Sequence, residues 1–481
     1  MRPLHGVLDE NSALVLSHEW HLRPNHGAGL VYRFSNAESK HIRLTSHETV
    51  ALVLCDGHTR WGEIPDLLSQ MLDLSEEEAR SINQKLLEKS EEFGPFMVPL
   101  SQAKEGFTRV NAGRILRELA AYHPQPQTAR RLQAPLSLLV LPTYHCQTDC
   151  IYCYAERPAL PSDALMTPDR WVEVLTEAGQ AGVDLITFSG GDPLNYPEID
   201  LLLAVVSRYR MAFLLPTKTL VTRRRAGQLA DLFSEVGEIQ ISIDSIDPDV
   251  AARMTRVGDY ADRAKTSIAN LRAAGLPVRT NTVITPLNVS GVEDLIRELH
   301  RLGVGRANIT NYSRSHYRHD DGLFLDQEQI DALQATVDRL RRELEWPELK
   351  CNAGIRDFMR AESRSEDAWK TRAGCSGGFS GCVILPNGDV ALCEQVPHDE
   401  RFVVGNVARR SLLEVWNSKE LLDFIVPDRA RFSGFACADC DEFDSCHRVH
   451  GRCFRDAFFN YGRIYAPSPN CPRAGPGIRV A

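Results

Sequence analysis

The chain has 481 residues, 43% hydrophobic and 25% charged, which is the balance of an ordinary soluble globular protein large enough for two to four domains. With 55 basic against 64 acidic side chains and a formal net charge of -9, composition argues against a nucleic-acid partner. A charged-then-apolar leader and a run of roughly 18 to 20 apolar residues are both missing, so a cytoplasmic protein without a membrane partner is expected.

Residues 1–100 read as a small module of strands followed by helices, a winged-helix-like order. Strand-like runs cover 30–34 and 41–44. Thr45 with Glu48 and Ser75 with Glu78 fit the S/T-x-x-E capping box, and each opens an apolar-periodic run: Val50, Val53 and Leu54, then Ile82, Leu86 and Leu87. Residues 101–132 form a linker with one helix, 112–122, and the Pro-rich stretch Tyr122-His123-Pro124-Gln125-Pro126. From 133 to 345, apolar runs at 136–141, 184–188, 211–215, 238–243, 278–284 and 306–310 alternate with helical patterns. Thr167 caps one helix ahead of Pro168, and Gly182 and Gly275 follow helix ends. Such βαβα alternation predicts a parallel sheet with its ligand sites at the carboxyl ends of the strands. The pattern fits an open doubly wound sheet or an incomplete barrel.

Thirteen cysteines in a chain of this kind point to metal rather than to a disulfide framework. Eleven fall into two groups, while Cys55 and Cys351 stand apart. After the first strand of the alternating region comes Cys146-Gln-Thr-Asp-Cys150-Ile-Tyr-Cys153-Tyr154. Three thiolates in one loop suit three irons of a 4Fe-4S cluster and leave the fourth iron open. A zinc site needs a fourth ligand, and His145, adjacent to Cys146, is poorly placed to supply it.

This triplet resembles the signature of the radical S-adenosylmethionine (SAM) superfamily, with Tyr154 as the aromatic after the last cysteine. The resemblance implies a partial (β/α)6 TIM-type barrel in which the open iron chelates SAM and a 5'-deoxyadenosyl radical is formed. By the same resemblance, Ser189-Gly190-Gly191-Asp192-Pro193 is similar to the Gly-Gly-Glu segment that meets the methionine amino group, with Asp192 in place of glutamate; a plain turn is the other reading. Ser242-Ile-Asp244-Ser245 resembles the ribose-binding strand end, against the alternative of a polar strand terminus. Arg256 would face the methionine carboxylate, unless it is a solvated surface arginine, and Asn281 ends a further strand.

The segment 346–481 resembles the cysteine-rich SPASM domain. Cys375, Cys393 and Cys453 would hold one auxiliary 4Fe-4S cluster, with Cys382 as a fourth ligand or a buried packing cysteine. Cys437, Cys440, Cys446 and Cys471 would hold the other, for three clusters in all. Six residues separate Cys446 from Cys453 where the pattern has three; a zinc ribbon is the alternative for the C-x2-C part. Pro386-Asn387-Gly388-Asp389 supplies a hairpin turn between 383–385 and 390–392, bringing Cys375 and Cys393 toward one end. Glu394 stands where sulfatase-maturing relatives carry a general base, or is an exposed glutamate.

His41-Ile-Arg-Leu-Thr45 and the run from Ala51 through Cys55-Asp56-Gly57 to Trp61-Gly62-Glu63-Ile64 resemble the peptide-binding chaperone of pyrroloquinoline-quinone biosynthesis. That likeness implies a recognition element over residues of about 25–100 that takes a leader peptide as an added strand. A winged helix that packs on the barrel or binds DNA is the other reading. Together the resemblances imply a maturase that installs a thioether, C–C or C–O crosslink in a ribosomal precursor peptide, with SAM, three clusters and a flavodoxin- or ferredoxin-type reductant. A formylglycine-forming sulfatase activator and a non-enzymatic metal-bound scaffold or DNA-binding regulator are the alternatives.

Overall fold

A computed structural model describes residues 9–34, 39–104, 112–122, 130–233, 237–313, 315, 317–352, 366–372 and 374–475. The Pro-rich run at 123–126 lies outside the described residues. The chain divides into two compact units, Met1–Gln127 with Leu132–Ala134, and Thr128–Arg131 with Pro135–Ala481.

In the first unit both capping boxes form. Thr45 Oγ1 accepts the Glu48 amide at 3.1 Å while the Glu48 carboxylate accepts the Thr45 amide at 2.7 Å, opening the helix Ser46–Leu54. Ser75 and Glu78 do the same for the helix Glu76–Phe93. Glu48 is buried and also takes Lys89 Nζ at 2.7 Å, so one carboxylate caps the first helix and ties it to the other. The strands are β1 (Ala13–Leu16), β2 (His21–Asn25), β3 (Ala28–Phe34), β4 (Ser39–Leu44), β5 (Asp56–Arg60) and β6 (Met97–Pro99). They make two three-stranded antiparallel sheets, β5-β1-β6 and β2-β3-β4, over a core that includes Leu14, Val31, Leu52, Ile64, Leu68 and Leu86. Cys55 is part of that core; burial pushes its thiol up to about 12 and leaves it a small apolar residue. The helix expected at 112–122 is Ala112–Ala120.

The second unit carries β7 (Ser137–Thr143), β8 (Leu185–Gly190), β9 (Ala212–Thr217), β10 (Gly237–Ser242), β11 (Val278–Ile284), β12 (Arg306–Asn311), β13 (Leu349–Asn352), β14 (Gly381–Ile384), β15 (Asp389–Ala391) and β16 (Gly405–Asn406). They form one ten-stranded sheet in the order β13-β12-β11-β10-β9-β8-β7-β14-β15-β16, parallel from β13 to β14 and antiparallel beyond. From β7 to β13 spatial order follows chain order without a reversal, which is the winding of a barrel and not of a doubly wound sheet. Two strands were not expected, β13, short and half polar, at one edge and β16 at the other; β14, expected as the first strand of the hairpin, pairs in parallel with β7, so that the cysteine-rich segment continues the barrel's own sheet.

The covering helices bury one stripe each. In Pro168–Ala181, capped by Thr167 and closed at Gly182, the buried side chains are Trp171, Val174, Leu175 and Ala178, spaced for a single helical face. Among the described residues no helix is long and apolar enough to cross a membrane. Because Trp171 is fully buried in the main core, Trp171→Ala is expected to remove about 3–5 kcal/mol, read as a lower urea midpoint for the second unit.

Candidate functional site

The cysteine loop begins where β7 ends, and its position is fixed by β8 beside it. Gly191 N–H donates to Thr143 O at 2.9 Å and Asp192 N–H to His145 O at 2.8 Å. The two backbones come so close that a Cβ on Gly190 would stand 2.3 Å from Thr143 O, and one on Gly191 2.2 Å from His145 O. Only glycine fits. Asp192 is buried, and its carboxylate is shared among five groups: the amides of Leu194, Lys218 and Thr219 and the hydroxyls of Thr217 and Thr219, at 2.7–3.0 Å. It thus pins the end of β8 to the end of β9.

A cleft of about 410 Å³ opens at these strand ends. Cys146, Cys150, Cys153, Tyr154, Ser189, Gly190, Gly191, Asp192, Ser242, Asp244, Asn281 and Glu394 all line it. Cys146 Sγ and Cys150 Sγ flank Thr148 Oγ1 at 3.3 and 3.5 Å, and burial pushes the Cys153 thiol up. Asp244 is buried and engaged by Tyr152 Oη, by Lys218 Nζ at 3.1 Å and by the Val283 amide at 3.0 Å. Burial opposes the Lys218 charge, but Asp244 and the phenols of Tyr152 and Tyr260 outweigh it and hold its pKa well above the usual lysine value. Glu394 is no surface residue: Ser189 Oγ donates to it at 2.9 Å, Tyr154 is its second hydrogen-bond partner, and burial raises its pKa despite both.

Arg256 does not join this set. It ends the helix Pro248–Thr255 with its side chain 63% exposed, and its nearest acid is Asp149, at 3.6 Å. Asp149, inside the cysteine loop, also takes Arg157 at 3.1 Å and Arg318 at 2.9 Å, while Arg318 donates to Cys150 O at 2.7 Å. Three guanidinium groups from three segments therefore brace the loop from outside. Of the residues near the cleft that sequence reasoning missed, Lys218 had a signal, since Thr217-Lys218-Thr219 follows a strand as the other motifs do. Arg318 had none.

The C-terminal cysteines form two neighbourhoods. Asp456 acts on the thiols of Cys375 and Cys453, Arg455 acts on those of Cys393 and Cys453, and Cys375 acts on Cys393, whose pKa burial pushes up to about 11. Arg130 ties this group together, donating to Cys375 O and, at 2.7 Å, to His450 O. Cys382 lies apart, 5% exposed on β14 opposite Leu138; burial raises its pKa to about 12, and its electrostatic partner is Arg131 rather than another thiol. The second neighbourhood is a cavity of about 140 Å³ lined by Cys437, Cys440, Cys446 and Cys471. Arg372 donates to Cys446 Sγ at 3.3 Å and Arg473 to Cys440 Sγ at 3.2 Å. Two further lining residues, Arg452 and His447, are buried, and Arg452 Nη2 and His447 Nδ1 have no hydrogen-bond partner among the described residues. Four convergent thiols, donors to sulfur and orphaned polar atoms fit an iron-sulfur cluster. Among the described residues no group of three or more His, Cys, Asp or Glu side chains is set for a single metal ion; a cubane seats each thiolate on its own iron, so its ligands need not close on one point. None of the thirteen cysteines is in a disulfide.

Comparison with known proteins agrees with this geometry. Residues 140–299 match the radical SAM superfamily and residues 375–441 the SPASM iron-sulfur cluster-binding domain. A PqqA peptide cyclase of Streptomyces rochei is 28% identical over 70% of this chain and 89% of its own. The mycofactocin maturase MftC of Mycobacterium tuberculosis is 26% identical over 72% and 85%. In fold, the chain resembles Streptococcus suis SuiB bound to S-adenosylmethionine, with a TM-score of 0.70 at 19% identity over 95% of this chain and all of that one. SuiB bound to its precursor peptide SuiA gives a TM-score of 0.68.

Two substitutions test the junction of β7 and β8. Gly191→Ala is expected to displace the cysteine loop and lower the iron retained after anaerobic reconstitution. Asp192→Asn, which sets an amide N–H2 against donors, is expected to cost about 1–3 kcal/mol in thermal unfolding and to weaken SAM binding in equilibrium dialysis.

Proposed function

We propose that this chain, which carries a radical SAM domain and a SPASM domain, is a maturase that abstracts hydrogen from a ribosomally made precursor peptide and installs a thioether, C–C or C–O crosslink. The observation that carries the reading is the single cleft in which the triplet loop, the Gly190-Gly191 turn and Glu394 meet. Support comes from the relatives named as a peptide cyclase and a maturase, and from SuiB with its bound peptide. A 4Fe-4S cluster on Cys146, Cys150 and Cys153, with SAM bound, supplies the adenosyl radical.

The rest is the work of this chain's residues. Ser242, Asn281 and the backbone at Gly190 and Gly191 offer SAM polar contacts from the strand ends. Asp192 and Asp244 act through the strand ends and the lysine that they hold. Glu394 takes a proton from the peptide, with Ser189 and Tyr154 fixing its carboxyl group. Cys375, Cys393 and Cys453 would hold one auxiliary cluster and Cys437, Cys440, Cys446 and Cys471 a second, which would supply an acceptor for the electron left after crosslinking; Cys382 serves packing. A flavodoxin- or ferredoxin-type protein supplies the reducing electron. The leader peptide adds to the edge strand β4 of the first unit, which among the described residues pairs with β3 alone.

Iron and 5'-deoxyadenosine test the core of this reading. The reconstituted chain should hold about twelve irons, and the triple variant Cys146→Ala, Cys150→Ala, Cys153→Ala about eight, with 5'-deoxyadenosine release abolished; zinc in place of iron sinks the proposal. Glu394→Gln should still cleave SAM yet form crosslinked peptide about 10²–10⁴-fold more slowly, and an unchanged product rate removes Glu394 from the proton transfer.

A further inference from the structure

The six residues between Cys446 and Cys453 are where this sequence departs from the SPASM pattern, and their fold gives that departure a use. The chain makes a π-helical turn over Cys446–His450, leaves it through Gly451 at a φ of 70°, and continues into Arg452. Arg452 is 7% exposed, its guanidinium is seated 5.3 Å from the rings of both Phe432 and Tyr465, and Nη1 donates to Ile464 O. Nη2 is buried with no acceptor among the described residues, and Arg452 lines the cavity together with Cys437, Cys440, Cys446 and Cys471. Arg452 is also bonded in sequence to Cys453 of the other thiol group. A guanidinium nitrogen left orphaned on burial carries a desolvation cost, and a bound group that accepts from it, such as a cluster sulfur, an ion or a water, removes that cost.

We propose that Arg452 is a positioning residue for the second auxiliary cluster, donating through Nη2 to a sulfur of the group held by the four thiols and raising its reduction potential. The proposal rests on the reading of this cavity as a cluster site. Reduction adds negative charge to a cluster, and a fixed cation with a hydrogen bond to sulfur stabilises that state more than the oxidised one. A guanidinium stays charged where other basic groups would lose their proton on burial. Arg372 and Arg473 already donate to two of the thiol sulfurs; Arg452 is the buried one, in the span that links Cys446 to Cys453.

The experiment uses the full-length, reconstituted chain. Replacing Cys437, Cys440, Cys446 and Cys471 together by alanine should lower iron from about twelve to about eight per chain; no loss means that the cavity holds no cluster, and the reading beneath the proposal fails. Potentiometric titration followed by electron paramagnetic resonance then compares the wild type with Arg452→Gln and Arg452→Lys. The potential of that one cluster should move to more negative values in Arg452→Gln and by a smaller step in Arg452→Lys, with the Cys146–Cys150–Cys153 cluster unmoved. Unshifted potentials at full iron content overturn the proposal. Should Arg452→Gln fail to take up iron, the wild-type chain labelled with 15N-arginine decides: a 15N coupling to the reduced auxiliary cluster supports the hydrogen bond, and its absence overturns it.

Discussion

Everything at the cleft depends on two stretches of backbone lying closer than side chains allow. Where Gly190 and Gly191 pass Thr143 and His145, the exit of one strand is bonded to the exit of its neighbour, and Asp192 carries the join on to the next strand through four donors at Thr217, Lys218 and Thr219. Three consecutive strand ends become one rigid floor. A loop with three thiols is otherwise a flexible object, and a cluster ligand set is useful only if its members are held apart at fixed distances. The arginines around Asp149 brace the same loop from the solvent side. Rigidity here is therefore supplied by main-chain geometry inside and by charge outside.

Two buried carboxylates are each matched by a lysine where they sit. Lys218 is held to Asp244, and Glu48 to Lys89. Such pairs contribute little net stability compared with apolar packing, but removing one partner strands the other, so they fix which arrangement the chain adopts. Asp192 and Asp244, read in the sequence as direct cofactor contacts, have their carboxylates taken up by the chain's own donors. Their influence on a ligand passes through the backbone that they hold.

Local signals were legible in the sequence and long-range ones were not. The two capping boxes, six barrel strands to within two residues at either end, and the thiol groupings could all be read, because each is a pattern within a few residues. The short strands β1, β13 and β16 escaped because two to four residues show no period; their pairing is decided by what lies beside them. Whether Glu394 faces solvent or a cleft depends on Ser189, 205 residues earlier, and no window along the chain contains both. At Cys382 and Arg256 the sequence left two readings open, and where each lies depends on the fold: one thiol is paired in register with Leu138, and one guanidinium lies mostly in solvent. The long Cys446–Cys453 spacing was visible as an irregularity, yet only the folded turn shows that it delivers a buried arginine.

The pairing of β14 with β7 bears on how freely such enzymes exchange parts. A cysteine-rich tail joined by a linker is a module that recombination can swap whole. Here the strand that opens the tail's sheet is laced to the strand that leads into the triplet, Gly381 to Ser137 and Ile384 to Val140. A foreign tail grafted onto this barrel must therefore bring a strand that fits the flank of β7, residue by residue, before any of its thiols can matter. Inheritance of the two halves is tied at the level of a hydrogen-bond register.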